Sequence, residues 1–466
     1  MTDDIQLEPG SFRDRSARVF YAGEGVYRGL NPAALLEWQR LEGTQFYRRS
    51  AEKRQIIATS RVKSEQFDGQ HWAAVLQHAR VPFISYPYEW CFGMLKDAAA
   101  LQLDLLADAL VEGMILKDAS PYNVQWVGAH PVFIDVASFH QIREGQPWEG
   151  YRQFCQLFLY PLMLQAYKDI AFHPWLRGSL EGIESEDCAA IFSTADFFRR
   201  GIFTHVYLQS KVQSRYASGR ADVRAELSQA GFSKTLIEAN VRRLRALIDR
   251  LEWKRSQSEW SDYTRHHTYD SADQQRKEAF VRSAANSRHS RLVWDLGSNT
   301  GSYSRIAAES ADYVVAIDAD HLAVERLYRA LKNETKQNIL PMVGNLANPS
   351  PNLGWRGEER KPLPDRGKPD LVLALALIHH VVIGANIPLV EFLDWLAGLG
   401  ADLVIEFVSK DDPMVRALLK NRVDQYPEYT EEGFEHHLEG RFEIVSREPL
   451  GTGSRILYHG RNRGQR

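Results

Sequence analysis

The stretch that decides the fold is RLVWDLGSNTGSYSRIAA, Arg291 to Ala308. It reads as a strand, a glycine-bearing turn and a helix. Small residues at Gly297 and Gly301 let backbone approach a ligand closely, and the helix N-terminus offers a partial positive charge to a carboxylate. Such a turn is shared by many nucleotide folds, so the next strand matters more. Tyr313-Val-Val-Ala-Ile-Asp318 ends in a carboxylate 17 residues after Gly301, where it can accept both hydroxyls of a ribose.

Three further strands follow in order. Asn338-Ile-Leu-Pro-Met-Val-Gly-Asn345 ends in Gly-Asn, Asp370 to His380 reads DLVLALALIHH, and Ala401 to Phe407 reads ADLVIEF. Apolar strands alternating with helices predict a doubly wound α/β sheet from Arg291 onward. Arg441 to Ser446 and Ser454 to His459 flank PLGTG, a hairpin turn that predicts two final strands.

With all these motifs in order, the C-terminal part resembles class I S-adenosylmethionine-dependent methyltransferases. It is most similar to the bacterial subgroup related to nodulation methyltransferases, through DLGxNTGxYS, LALIHH and EFVxKDDPMV. The resemblance implies a Rossmann-like domain over 291–466 with a seven-stranded sheet whose last strand is antiparallel. It implies that Asp295, Gly297, Asn299 and Gly301 surround the methionine end of S-adenosyl-L-methionine and that Asp318 holds the ribose. Asn345 and Leu346 would meet the adenine edge, and Ala374 with Leu375 would form the floor below the sulfonium. Asn299 stands where the family usually has a glycine, and Asn345 where it usually has an aspartate. A Rossmann oxidoreductase is the alternative for such a turn, and the motif order favours methyl transfer.

Methyl transfer is an in-line displacement, so positioning is much of the catalysis, and a base is needed only if the acceptor must lose a proton. His379 and His380 end the fourth-strand segment and are candidate bases; the alternative is that they cap a helix or touch cofactor backbone. Glu406, followed by Lys410, Asp411 and Asp412, is a second candidate cluster that would otherwise only solvate a loop before Pro413. The connection Leu346 to Pro369 holds five prolines; Trp355, Glu359 and Arg360 within it are candidate acceptor contacts, or else part of a surface insertion. The domain has no cysteine, so nucleophilic methylation at pyrimidine C5 is excluded. No Asn-Pro-Pro-Tyr-like stretch follows the fourth strand, which argues against methylation of a flipped base. An oxygen or nitrogen acceptor on a small molecule, glycan or protein remains.

The N-terminal half carries a second pattern. Asp118 and Asn123 stand five apart with Pro121 between them, and Asp135 closes an apolar run 17 residues after Asp118. In phosphoryl-transfer enzymes the first aspartate accepts the substrate proton, while the asparagine and second aspartate hold magnesium. The helical spacing of Leu103, Leu106, Leu110 and Met114 precedes the loop. This half therefore resembles protein kinases and aminoglycoside-type phosphotransferases, which implies an α+β domain over 1–255, with an N-lobe to about residue 84 and a helical C-lobe beyond it. It departs from them: Leu116-Lys117 precede the aspartate, Val-Ala-Ser follows Asp135, and no Val-Ala-Ile-Lys strand appears. Gly23-Glu-Gly25-Val-Tyr-Arg-Gly29 is only a loose nucleotide loop. Residues 256–290 read as linker and leading helix, with Ser271 a candidate N-cap.

The totals fit this picture. A chain of 466 residues has room for two or three domains, and 44% hydrophobic with 25% charged residues is ordinary for a globular protein. Net charge is −3, with 22 Lys and Arg against 25 Asp and Glu from Ala285 to Arg466, so no basic excess favours a nucleic-acid partner. Three scattered cysteines, no leader-like start and no long apolar run predict a cytoplasmic protein without a membrane span, disulfide framework or structural zinc. Three functions follow: a methyltransferase whose kinase-like module binds the acceptor or a nucleotide, a bifunctional kinase-methyltransferase, or a non-catalytic S-adenosylmethionine-binding protein.

Overall fold

The computed structural model describes residues 5–63, 67, 72–211, 233–257, 271–420 and 423–465. Most of the expected linker, 258–270, and the side chain of Ser271 lie outside the described residues. The chain forms two compact units. The first takes Met1–Trp126, Pro131–Lys254 and Asn352–Arg360; the second takes Val127–His130, Arg255–Pro351 and Lys361–Arg466.

In the first unit, β1 (Gln6–Leu7), β2 (Ala17–Ala22), β3 (Gly25–Leu30), β4 (Thr59–Val62) and β5 (Ala74–His78) make a five-stranded antiparallel sheet in the order β1-β2-β3-β5-β4. Of the segment read as a loose nucleotide loop, Gly23 to Gly29, only Gly23 and Glu24 form a turn, and Gly25 to Gly29 lie in strand β3. Gly23, at φ 54°, turns the chain, and Ala22 pairs with Gly25 across a two-residue hairpin. Gly29 serves packing: a Cβ there would lie 2.2 Å from the Trp72 ring.

The 20-residue helix Phe92–Val111 follows, its leucines and alanines buried on most sides. It packs against the helix Lys234–Arg250, whose Ile237, Val241, Leu244 and Ile248 form one buried stripe. The helical spacing that reached Met114 overran the helix: Gly113, at φ 78°, ends it, and Met114 opens a strand. That strand, β6 (Met114–Leu116), pairs with β9 (Phe139–Gln141), while β7 (Val124–Val127) pairs with β8 (His130–Phe133).

The second unit is built on a seven-stranded sheet of β10 (Leu292–Leu296), β11 (Tyr313–Asp318), β12 (Ile339–Val343), β13 (Leu371–Ala374), β14 (Asp402–Val408), β15 (Phe442–Pro449) and β16 (Arg455–Asn462). Their order is β12-β11-β10-β13-β14-β16-β15. The first five strands are parallel, and β16 runs antiparallel to both neighbours. Strands β10 and β12 are buried throughout and β11 up to its last residue, as expected of parallel strands covered on both faces. The turn at Leu450–Ser454 closes the final hairpin through Leu450 N–H to Arg455 O at 2.9 Å. Among the described residues no helix is long and apolar enough to cross a membrane.

Candidate cofactor site

Strand β10 pairs with β11 on one side and β13 on the other, so the chain leaves it in opposite directions. In open α/β sheets such a switch point opens a crevice at the carboxyl ends of the strands. A cavity of about 450 Å³ lies there. The turns after β10, β11, β12 and β13 all reach it, and Gln274 with Lys277 line it from the helix Ser271–Asn286.

The turn after β10 is held by backbone. Gly297 and Ser298 donate N–H to Ile317 O at 2.8 and 3.0 Å, and Gly301 donates to Ser298 O at 2.8 Å. Gly297, Asn299 and Gly301 all have positive φ, at 76°, 48° and 78°. Asparagine is among the few side chains that tolerate this region, so Asn299 fills the usual glycine position without a change of turn. Asp318 accepts N–H from Asn299 at 2.7 Å and from Asp320 at 2.8 Å, one on each carboxylate oxygen. Each oxygen keeps lone pairs for a ligand diol. Ser298 Oγ is buried at the cavity with no hydrogen-bond partner among the described residues. These groups fit the ribose and polar end of S-adenosylmethionine.

Of the residues expected from sequence, Gly297, Asn299, Asp318, Asn345, Leu346, Leu375 and His380 line the cavity. Asp295, Gly301, Ala374, His379 and Glu406 are not among its lining residues. Asp295 is buried beneath the turn, accepts a hydrogen bond from Ser304 Oγ at 2.5 Å, and is pushed up to about 6 by burial. Gly301 has no room for a side chain because a Cβ would meet Leu327 Cδ1 at 2.6 Å. His379 is fully buried, its ring nitrogens unpartnered among the described residues, and burial drives its pKa well down. His380 opens the π-helical turn His380–Gly384, with its pKa lowered to about 4 by burial and then by Arg455.

An ionic cluster runs inward from Lys277 at the wall. Lys277 Nζ donates to Glu406 Oε2 at 2.5 Å and sits 4.9 Å from the Tyr303 ring centroid. The same Glu406 oxygen accepts Ala376 N–H at 2.8 Å, and Ala376 has φ 51°, strained for a residue with a Cβ. Arg455 pairs with Asp412 at 2.7 and 3.2 Å and reaches Glu406 at 3.5 Å. Burial holds Lys277 below the usual lysine range despite the pull of Glu406. Sequence pattern did not single out Lys277; its place on a helix just before the glycine turn was the available signal.

In the first unit, the loops after β6 and β8 carry Asp118 and Asp135, and the turn Pro121–Asn123 carries Asn123. Asp118 is raised above the usual carboxylate range by burial and then by Asp135. Arg28 of β3 donates to Asp135 at 2.6 Å, a buried cation that the loop reading of Gly25 to Gly29 concealed. In the connection expected to contact an acceptor, Glu359 forms a two-point pair with Arg13 at 2.7 Å, and Arg360 lies 3.9 Å from the Tyr122 ring centroid. Trp355 is 65% exposed.

No protein-family model matches the chain. Nodulation protein NoeA of Rhizobium meliloti (strain 1021) is 35% identical over 455 residues, covering 96% of this chain and 94% of that protein. Among solved structures, N-methyltransferase NodS from Bradyrhizobium japonicum WM9 is 13% identical over 41% of this chain and 98% of its own, with a TM-score of 0.31. Magnesium protoporphyrin IX methyltransferase (ChlM) from Synechocystis PCC 6803 with bound SAH is 21% identical, covering 41% and 84%, with a TM-score of 0.30. At such scores the fold assignment rests on the sheet order itself. With the relative matched over nearly its whole length, the chain belongs to the family of nodulation protein NoeA, and the strand order with the ordered motifs gathered around one cavity gives its second unit the class I methyltransferase fold.

Proposed function

We propose that the chain transfers a methyl group to an oxygen or nitrogen of a small molecule, glycan or protein, with His380 as the group that handles the acceptor's proton. The observation that carries this reading is the cavity at the β10 switch point, with Asp318 at one wall and His380 at another. S-adenosylmethionine supplies the electrophilic methyl group when bound. Asp318 holds the ribose, Ser298 and Asn299 the polar end, and Asn345 with Leu346 the adenine edge. His380 lines the cavity and is neutral at pH 7, its pKa lowered to about 4 by burial and then by Arg455, so a ring nitrogen has a lone pair to accept a proton. His379 and Glu406 act from behind the wall, as supports for the turn that carries His380. The cysteines, Cys91, Cys155 and Cys188, all belong to the first unit, which supports an oxygen or nitrogen acceptor over pyrimidine C5.

The first unit is the acceptor- or nucleotide-binding module in this reading, a kinase-like domain working in the cytoplasm. The order of its elements supports this: five-stranded sheet, long helix, then Asp118, Asn123 and Asp135 on successive loops. Arg28 beside Asp135 supports a second reading, an active kinase, since it supplies a cation where the sequence lacks the usual lysine. Asn123 and Asp135 would then hold magnesium, with Asp118 as base.

The experiment is incubation of the protein and labelled S-adenosylmethionine with fractionated extract. The relative's name supports starting with products of nodulating bacteria. Label is expected in a small-molecule, glycan or protein fraction; label confined to nucleic acid would overturn the reading. Exchanging His380 for Asn should lower kcat by roughly 10²–10⁴-fold with cofactor affinity kept. Magnesium-dependent ATP turnover that disappears in Asp118→Ala would favour the second reading, and cofactor binding without transfer to any fraction would favour a non-catalytic one.

A further inference from the structure

A lysine on the wall of a cofactor cavity is expected to repel a cation. Lys277 lines the cavity, its side chain is 2% exposed, and its ammonium has little water to screen it. S-adenosylmethionine carries a sulfonium charge; S-adenosylhomocysteine, the product, differs by losing the methyl group and that charge. A methyltransferase must bind the cation well enough to use it and release the uncharged product.

We propose that Glu406 is a positioning residue that makes this cavity accept a cationic ligand, by cancelling the Lys277 charge while holding the Ala376 turn with the same carboxylate. The proposal rests on the assignment of the cavity to S-adenosylmethionine. Glu406 Oε2 lies 2.5 Å from Lys277 Nζ and 2.8 Å from Ala376 N. Arg455 competes weakly for Glu406, at 3.5 Å, because Asp412 takes two of its guanidinium nitrogens at 2.7 and 3.2 Å. The four charges thus resolve into two pairs, and the one at the cavity wall is Lys277 with Glu406. Leu375, Ala376 and Leu377 line the cavity, so the carboxylate that quenches the lysine also sets the backbone path of the adjoining wall. The Tyr303 ring, 4.9 Å from Nζ and itself a lining residue, gives the ammonium a second partner.

Glu406→Gln separates the two tasks, because the amide oxygen still accepts the Ala376 N–H while the charge is lost. Calorimetric titration of the full chain with S-adenosylmethionine and with S-adenosylhomocysteine reads the result. Glu406→Gln is expected to weaken the methylated ligand by about tenfold and the demethylated one by less than about threefold. Adding Lys277→Met should return the ratio of the two affinities to the wild-type value, as a double-mutant cycle requires of a direct coupling. Equal weakening of both ligands, or no change in either, overturns the proposal. Should Glu406→Gln fail to fold, Lys277→Met alone decides: it leaves an anion at the wall and should shift the ratio toward S-adenosylmethionine, and an unshifted ratio overturns the proposal. A wild-type protein that binds neither ligand would instead sink the cofactor assignment, so the two failures are distinguishable.

Discussion

Gly301 and Asn299 sit two residues apart in the same turn and both have positive φ, yet they are held there by different demands. Asn299 lines the cavity and donates its N–H to Asp318, so it belongs to the ligand. Gly301 faces the other way, toward Leu327 and Arg305. Gly301→Ala should therefore cost about 1–3 kcal/mol of stability through backbone strain and a shifted Leu327. Chemical denaturation would show the loss, and the cofactor affinity of the folded fraction should stay near wild type. The sequence showed that a glycine was needed at this position but not which surface needed it. Asp295 makes the same point: its motif position suggests ligand contact, while its carboxylate is spent on Ser304 under the turn. Spacing along a chain reports which residues share a turn, and only the fold reports which side of the turn each one faces.

Among elements, parallel strands were easiest to read because both faces are buried and the residues run apolar without interruption. The final hairpin was legible from its glycine turn. Strand β3 was not, because its glycines mimic a phosphate-binding loop. In the fold Gly25 and Gly29 instead make room for the Tyr27 and Trp72 rings. Gly29→Val should displace Trp72 from the sheet and destabilise the first unit by about 1–3 kcal/mol. Tryptophan fluorescence should redden, while S-adenosylmethionine affinity should hold; lost cofactor binding with an unchanged emission would contradict this assignment. The helix Ser271–Asn286 was expected, but its role was not, since no local pattern tells that Lys277 will meet Glu406, 129 residues away.

At the scale of the molecule, the sequence divides into an N-terminal and a C-terminal half, but the units do not follow that division. Asn352–Arg360 belongs to the first unit although the chain on either side of it belongs to the second. Within the first unit it is fastened by Glu359 on Arg13 and by Arg360 against Tyr122. Glu359→Ala should loosen this segment at a cost of about 1–3 kcal/mol, since a buried carboxylate with a two-point guanidinium partner is lost. Hydrogen exchange at 352–360 should speed up by tenfold or more, at about 1.4 kcal/mol per tenfold, with the β10–β13 core unaffected. Protection left unchanged would mean that Arg360 and its rings hold the segment alone.

That borrowed segment also limits how the gene can be divided. A cut at codon 255 would give a first product lacking nine residues of its own body, with Arg13 stripped of its carboxylate and Tyr122 of its guanidinium cover. The second product would carry those nine residues with nothing of their own to pack on. Recombination that swaps one half for a foreign counterpart would meet the same obstacle. The two halves are therefore expected to be inherited as one reading frame, and to be separable in the laboratory only when both exchanged stretches, 352–360 and 127–130, are returned to their own units.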